Sequence, residues 1–186
     1  MRSLDRRKKG SCESETTSVL DPMNIRKATI SDIPAIDGML MRCYSILLAP
    51  DYAPDMLASA LPALGCAERG LIEDERYFVA EIDNAIVGSG GWSHRQLVTG
   101  NDMPGIAHLR RFGTDPDMLR RGIGRGLIER IALEAEKTER AEIHCTATLT
   151  AIPFYKAQGF RVLYRNSVEI KPGLHFPTAE MGRVRQ

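Results

Sequence analysis

Residues 117–128 read DMLRRGIGRGLI, with Gly122, Gly124 and Gly126 alternating with bulkier residues and an apolar run of helical period behind them. The first-turn amides of a helix have no intrahelical acceptor, and the helix dipole adds partial positive charge at that end. Glycines let a phosphate approach that backbone, and Arg120, Arg121 and Arg125 add guanidinium groups able to pair with its oxygens. The chemistry on offer is anion binding. Two nucleotide patterns do not fit. No Gly-Lys-Ser/Thr closes the run, as a P-loop requires. The third glycine spacing differs from G-x-G-x-x-G, and the run follows Asp115-Pro116-Asp117 instead of the chain's first strand. A plain helix start whose arginines face water is the competing reading.

Glycines can cradle an anion only if a strand leads into them and a helix leaves them. Residues 107–114 read as that strand, and residues 122–137 as a helix with Ile123, Leu127, Ile131 and Ala135 on one face. Upstream, residues 24–28 alternate like a strand, and Ser31-Asp32 offers a cap to a helix striped by Ile33, Ile36, Leu40, Cys43 and Leu47. Pro50 and Pro54 break that helix, and residues 55–64 predict a shorter one. Residues 76–82 and 85–92 are β-rich runs joined by Asp83-Asn84, a pair suited to a tight hairpin turn. Residues 97–105 read as a loop. Residues 141–147 form the next strand, and residues 151–157 a short helix ended by Gly159. Residues 160–170 and 174–181 are strands on either side of a Lys171-Pro172-Gly173 turn. The order β-α-α-β-β-β-α-β-α-β-β predicts an α/β fold of the α+β mixed-sheet kind, with helices on the faces of one central sheet.

The 186 residues suffice for one well-packed domain and are short for two. A formal net charge of +1 pulls toward neither nucleic acid nor a membrane, so no partner of either kind is expected. Cys12, Cys43, Cys66 and Cys145 form no CxxC pair, and His94, His108, His144 and His175 lack ligand spacing on one helix, so no metal is expected. Residues 1–22 are rich in charge and Ser/Thr and predict a flexible tail; the folded domain is expected over residues 23–186. The basic start lacks the apolar stretch of a signal peptide, so a cytoplasmic protein is the simplest reading.

The glycine segment resembles the acetyl-CoA-binding motif of the GNAT superfamily of N-acetyltransferases, Q/R-x-x-G-x-G/A, behind a strand ending in x-x-P, here residues 108–116. Ala151-Ile152-Pro153-Phe154-Tyr155-Lys156-Ala157-Gln158-Gly159-Phe160 is similar to the family's A-x-x-F-Y-x-x-x-G-F segment, and Ile25-Arg26-Lys27-Ala28 with Ser31-Asp32 to its opening strand and helix. The resemblance runs from Met23 to about Arg183 and implies a single GNAT-like domain. It departs in two places. Leu119 stands where Gln or Arg is expected, although a literal match runs from Arg121 to Gly126. Thr148 stands where an Asn often precedes the short helix.

The resemblance implies transfer of an acetyl group from acetyl-CoA, bound as cosubstrate, to a primary amine in a ternary complex. It places the coenzyme pyrophosphate against Arg120, Arg121, Gly122, Ile123, Gly124 and Arg125. Residues 112–114, ending at Thr114, would supply an oxyanion-stabilising amide, and Tyr155 would protonate the leaving thiolate. The acceptor, a small-molecule or peptide amine, would be selected by residues 45–64 and 93–105. Glu81, His108 and His144 lie on strands expected to flank the cleft, and none is singled out as the base. Trp92 either lines the cleft or packs in the core. A homodimer stays open. The alternative reading is a non-catalytic acyl-CoA-binding sensor or interaction module.

Overall fold

Asp83 and Asn84 both adopt positive φ, 51° and 60°, as a two-residue hairpin turn demands. They join Tyr77–Ile82 (β2) to Ala85–Ser93 (β3) in the register Ile82↔Ala85. The structure is a computed structural model and describes residues 23–184. The expected tail, residues 1–22, lies outside the described residues. Asn24–Lys27 (β1), Ile106–Thr114 (β4), Glu142–Thr148 (β5), Arg161–Lys171 (β6) and Leu174–Val184 (β7) complete a seven-stranded sheet of order β1-β2-β3-β4-β5-β7-β6. Every neighbouring pair is antiparallel except β4 and β5. A parallel pair needs a crossover, and Ile123–Glu136 (α4) supplies it.

α4 buries Ile123, Leu127, Ile128, Ile131, Ala132 and Ala135 against Phe78, Ala80 and Val87 of the sheet. Each large aliphatic side chain so buried contributes about 1.5–3 kcal/mol. Ile33–Leu47 (α1) buries Ile36, Leu40 and Cys43 of the expected stripe in a second cluster with Tyr77 and Val79. Strand alternation sends Val79 to that cluster and Phe78 to the α4 side, so the two clusters occupy opposite faces of the sheet. Pro54–Leu64 (α2) begins at the proline expected to break the first helix. No helix of the described residues is long and apolar enough to cross a membrane.

One expectation is corrected. A further helix, Arg69–Glu73 (α3), precedes β2, so the order is β-α-α-α-β-β-β-α-β-α-β-β. It is too short to show a period and contains Gly70; burial of Leu71 and Ile72 holds it in place. The first helix begins at Ile33 with Asp32 at its cap, as expected, and a 3₁₀ turn leads into it. Thr29 precedes that turn, Ile30–Asp32, and its amide and hydroxyl both donate to the Asp32 carboxylate at 2.7 and 2.9 Å.

Asp32 also accepts from both terminal nitrogens of Arg26, at 2.8 and 3.0 Å, and Arg26 reaches Glu81 on β2 as well. Glu81 is therefore committed to tying β1, the helix entry and β2 together. The guanidinium of Arg26 holds the Asp32 carboxyl far below the usual carboxylate range, with the Thr29 donors adding to the effect. A depressed folded-state pKa stabilises the fold fully above the unfolded value of about 3.9, and that contribution is lost progressively as pH falls from there toward the lower folded value. Asp32→Asn is expected to cost about 1 kcal/mol at pH 7. The gap to the wild type should narrow in melts below about pH 4, where Asp32 of the unfolded chain takes up a proton that the ion pair keeps off the folded one. A gap that stays constant down to pH 2.5 would remove the ion pair as its cause.

Candidate functional site

β4 and β5 pair only at Ile106↔Glu142, Ala107↔Ile143 and His108↔His144. Beyond His108 and His144 the two strands part, and a cleft of about 870 Å³ opens between them. Its walls include Leu109 and residues 110–114 from β4 and residues 145–148 from β5. The start of α4 and the helix Ile152–Ala157 (α5) complete the lining. The parting leaves backbone donors and acceptors of both strands without a ladder partner on this side.

β4 carries a bulge that its sequence did not signal. Its register on β3 runs from Gly91↔Arg110 to Ser89↔Gly113, and Arg111 sits at φ 47°. The extra residue re-aims the backbone. The carbonyl of Arg111 accepts from Tyr77 at 2.9 Å and that of Phe112 from Tyr44 at 3.1 Å. Both hydroxyls belong to the side of the sheet covered by α1, so the bulge is held by buried tyrosines whose phenols burial pushes upward and keeps neutral.

At the other wall, Gly122 caps α4 with φ 80°, and the first helical return is Gly126 N–H to Gly122 O at 2.9 Å. No side chain caps this helix, so the amides of Ile123, Gly124 and Arg125 keep their donors for a ligand. Arg120, at φ 62°, bends the chain into the turn. Gly122 as cap and Ile123 as first helical residue match the register that leaves Leu119 in the expected Gln/Arg position. Leu119 is exposed and lines the cleft, as do Thr114, Arg120, Gly122, Ile123, Gly124 and Arg125. Arg121 is exposed and lies outside the lining. The nearby Asp115 and Asp117 would repel an anion, and Arg42 of α1 pairs with both, at 3.2 and 2.7 Å.

Tyr155 is buried at 5% exposure and lines the cleft from α5. Its ring lies 5.1 Å from Phe154, 5.2 Å from Phe160 and 6.2 Å from Phe112. Burial pushes its phenol well above its usual value, and the neighbouring Cys145 thiol of β5 adds to the shift. The proton therefore stays on the oxygen at neutral pH. Burial does the same to Cys145, which lines the cleft as a thiol and not as the more nucleophilic thiolate.

Other expectations resolve differently. Trp92 is 2% exposed and packs in the α4-side core, away from the cleft. Glu81 is held by Arg26. His108 and His144 belong to the paired end of β4 and β5, where their rings meet edge to face at 5.6 Å. Burial lowers His108 to about 4, with His144 adding to the shift. Glu180 of β7, 1% exposed, joins them and was missed by sequence reasoning, because only strand register brings it there. Leu47, Leu48, Leu64 and Leu97, from the segments expected to select the acceptor, also line the cleft.

Residues 73–162 match the model of a family described as an acetyltransferase (GNAT) domain. Solved structures share the fold. A GCN5-related N-acetyltransferase from Rhodopseudomonas palustris is 18% identical with a TM-score of 0.69, covering 90% of this chain and 98% of that one. The PaiA N-acetyltransferase of Thermoplasma acidophilum, solved in complex with coenzyme A, is 16% identical with a TM-score of 0.66, covering 88% and 99%. A ribosomal-protein-alanine N-acetyltransferase from Brucella melitensis is 19% identical with a TM-score of 0.60, covering 87% and 99%. No curated protein matches the sequence. The matched segment holds the hairpin, the bulged strand, the glycine turn and the Phe154-Tyr155 helix, so residues 73–162 match a GNAT domain, and the likeness in fold extends over the rest of the domain.

Proposed function

We propose that the protein moves the acetyl group of acetyl-CoA to a primary amine by direct attack in a ternary complex. The observation that carries this reading is one cleft lined both by the uncapped start of α4 and by the buried hydroxyl of Tyr155. The pyrophosphate would lie on the amides of Ile123, Gly124 and Arg125, with Arg120 and Arg125 at its edge. Arg121, outside the cleft lining, would act on the phosphates only as a nearby charge. The coenzyme's extended arm carries amides, which the unpaired edges of β4 and β5 can receive as a sheet receives an added strand. That the Thermoplasma relative was solved with coenzyme A supports a coenzyme-binding role for this fold.

In the chemical step the neutral amine attacks the thioester carbonyl, and negative charge develops on its oxygen. An amide among residues 112–114, ending at Thr114, would stabilise that charge. The C–S bond then breaks, its electron pair goes to sulfur, and Tyr155 gives its proton to the thiolate. A thiolate leaving into an apolar cleft is itself desolvated, so it competes well for a phenolic proton. The amine sheds its extra proton to solvent, and the phenol is reprotonated from there. The protonated state of Cys145 argues for direct attack over an acyl-enzyme.

The acceptor would enter where Leu47, Leu48, Leu64 and Leu97 meet Glu68 and Arg111, which pair at 3.3 Å. A cytoplasmic setting suits this reading, because Cys43, Cys66 and Cys145 are all free thiols. A panel of primary amines, small molecules and N-terminal peptides, assayed for thiol release from acetyl-CoA, tests the reading. Expected is one amine class that raises thiol release above background hydrolysis and yields acetylated amine, with no acetylated protein by mass spectrometry. Saturable coenzyme binding with no turnover across the panel would favour a non-catalytic acyl-CoA module instead.

A further inference from the structure

His108, His144 and Glu180 come from three adjacent strands, and one potential ligand atom from each lies within 4.8 Å of the other two. Strand alternation puts all three on the face away from α4. Glu180 is 1% exposed and His108 3%. One oxygen of Glu180, Oε2, accepts from Thr146 at 2.9 Å. The other, Oε1, has no hydrogen-bond partner among the described residues, and neither does His108 Nε2. Glu180 Oε1 faces Nδ1 of both histidines at 3.9 Å, too far for a hydrogen bond.

The proton on His144 can be placed. Its Nε2 lies 3.1 Å from Glu142 Oε2, and a carboxylate only accepts, so in the neutral ring Nε2 is the donor and Nδ1 carries the lone pair. A nitrogen lone pair therefore points at a buried carboxylate oxygen that nothing else satisfies. Leaving a carboxylate buried without a counter-charge is costly. A cation between the three atoms would remove the conflict.

We propose that His108, His144 and Glu180 form a binding site for a divalent transition-metal ion of the zinc class. Two imidazole nitrogens and one carboxylate oxygen are a ligand set that suits zinc and its neighbours, whereas calcium and magnesium favour oxygen alone. Bonds of about 2.0–2.2 Å place tetrahedral ligands about 3.4 Å apart, so the 3.9 Å separations close with a shift of about half an ångström. The supporting contacts are already built. Glu142 orients His144, and Thr146 orients Glu180, as carboxylates and hydroxyls do around metal ligands. Gly182 leaves room for the His144 ring, since a Cβ there would lie 2.9 Å from Nε2. Thr146 lines the cleft, and the strands part immediately after His108 and His144, which gives the ion a path in.

The test uses the full chain, stripped with a chelator, dialysed, and titrated with zinc chloride by calorimetry, with cobalt(II) absorption as a second readout. Expected is one saturable equivalent of zinc. Glu180→Gln and His144→Gln should each weaken it by more than the ~10- to 100-fold that a supporting partner such as Glu142→Gln costs. Coenzyme binding by the same preparations reports that the cleft is intact, so the outcome is independent of whether acetyl transfer occurs. Absence of saturable zinc binding in the stripped wild type would overturn the site. So would binding that survives both ligand substitutions, since the ion would then sit elsewhere, for example on Cys66. If Glu180→Gln does not fold, His144→Gln and Glu142→Gln decide the matter in the same way.

Discussion

Tyr155→Phe is expected to slow single-turnover acetyl transfer by about 10²- to 10⁴-fold while leaving coenzyme affinity within about twofold, the size of effect that a lost general acid produces. The phenylalanine ring keeps every aromatic contact of the tyrosine, to Phe112, Phe154 and Phe160. Only the hydroxyl goes, and its neighbour in the protein is the Cys145 thiol, a weakly hydrogen-bonding group that loses little. The fold should therefore barely register the change. Steady-state turnover is the wrong readout, since slow product release would mask a slowed chemical step. A single-turnover rate equal to wild type, with a saturating acceptor, would take Tyr155 out of the mechanism. Loss of coenzyme binding in the same variant would mean that the hydroxyl organises the cleft and does not act on sulfur.

Much of the fold was legible because its elements announce themselves locally. The stripe of Ile36, Leu40 and Cys43 and that of Ile123, Leu127 and Ile131 show a helical period, and each occupies the core as read. Asp83-Asn84 names its own turn, since few other pairs accept two consecutive positive φ values. α3 was invisible for the opposite reason: five residues cannot display a period, and burial of Leu71 and Ile72 decides the matter. The 3₁₀ turn Ile30–Asp32 ahead of α1 was likewise too short to show a period, whereas the cap at Asp32 stood where the polar pair announced it.

The site divides along the same line. The glycine turn and the Phe154-Tyr155 segment are contiguous in sequence, so pattern alone could find them. The bulge at Arg111 has no sequence signal, for arginine is not a residue one expects at φ 47°; Tyr44 and Tyr77, far upstream, impose it by accepting no other arrangement of the two carbonyls they hold. The company of His108, His144 and Glu180 is likewise a product of strand order, which puts β7 beside β5 through a hairpin that composition does not order. Arg120, Arg121 and Arg125 looked equivalent as letters. The left-handed turn at Arg120 and the helix start at Ile123 separate them, so that two line the cleft and Arg121 does not.

Gly124→Glu should lower coenzyme affinity by more than about 100-fold, equivalent to about 2.7 kcal/mol. Two independent physical effects act at this position. Gly124 is the second residue of α4 and offers one of the free first-turn amides, so a carboxylate there puts negative charge where the pyrophosphate would lie. A Cβ at Gly124 would also lie 2.8 Å from Cζ of Phe154, forcing that ring to move. The ring stacks near Phe112 at 6.1 Å and lines the cleft, so its displacement narrows the same space. Stability should change less than affinity, because replacing a helical glycine recovers up to about 1 kcal/mol of helix propensity against the cost of the clash. Gly124→Gln carries the bulk without the charge, and Arg125→Glu carries the charge on an exposed side chain without the clash. Calorimetry on the three variants should find Gly124→Glu weakest. Arg125→Glu should bind with a loss that shrinks as salt is raised, and Gly124→Gln with one that salt does not change. A folded Gly124→Glu protein that binds coenzyme A as the wild type does would show that the pyrophosphate lies away from α4, and the placement of the whole cosubstrate would go with it.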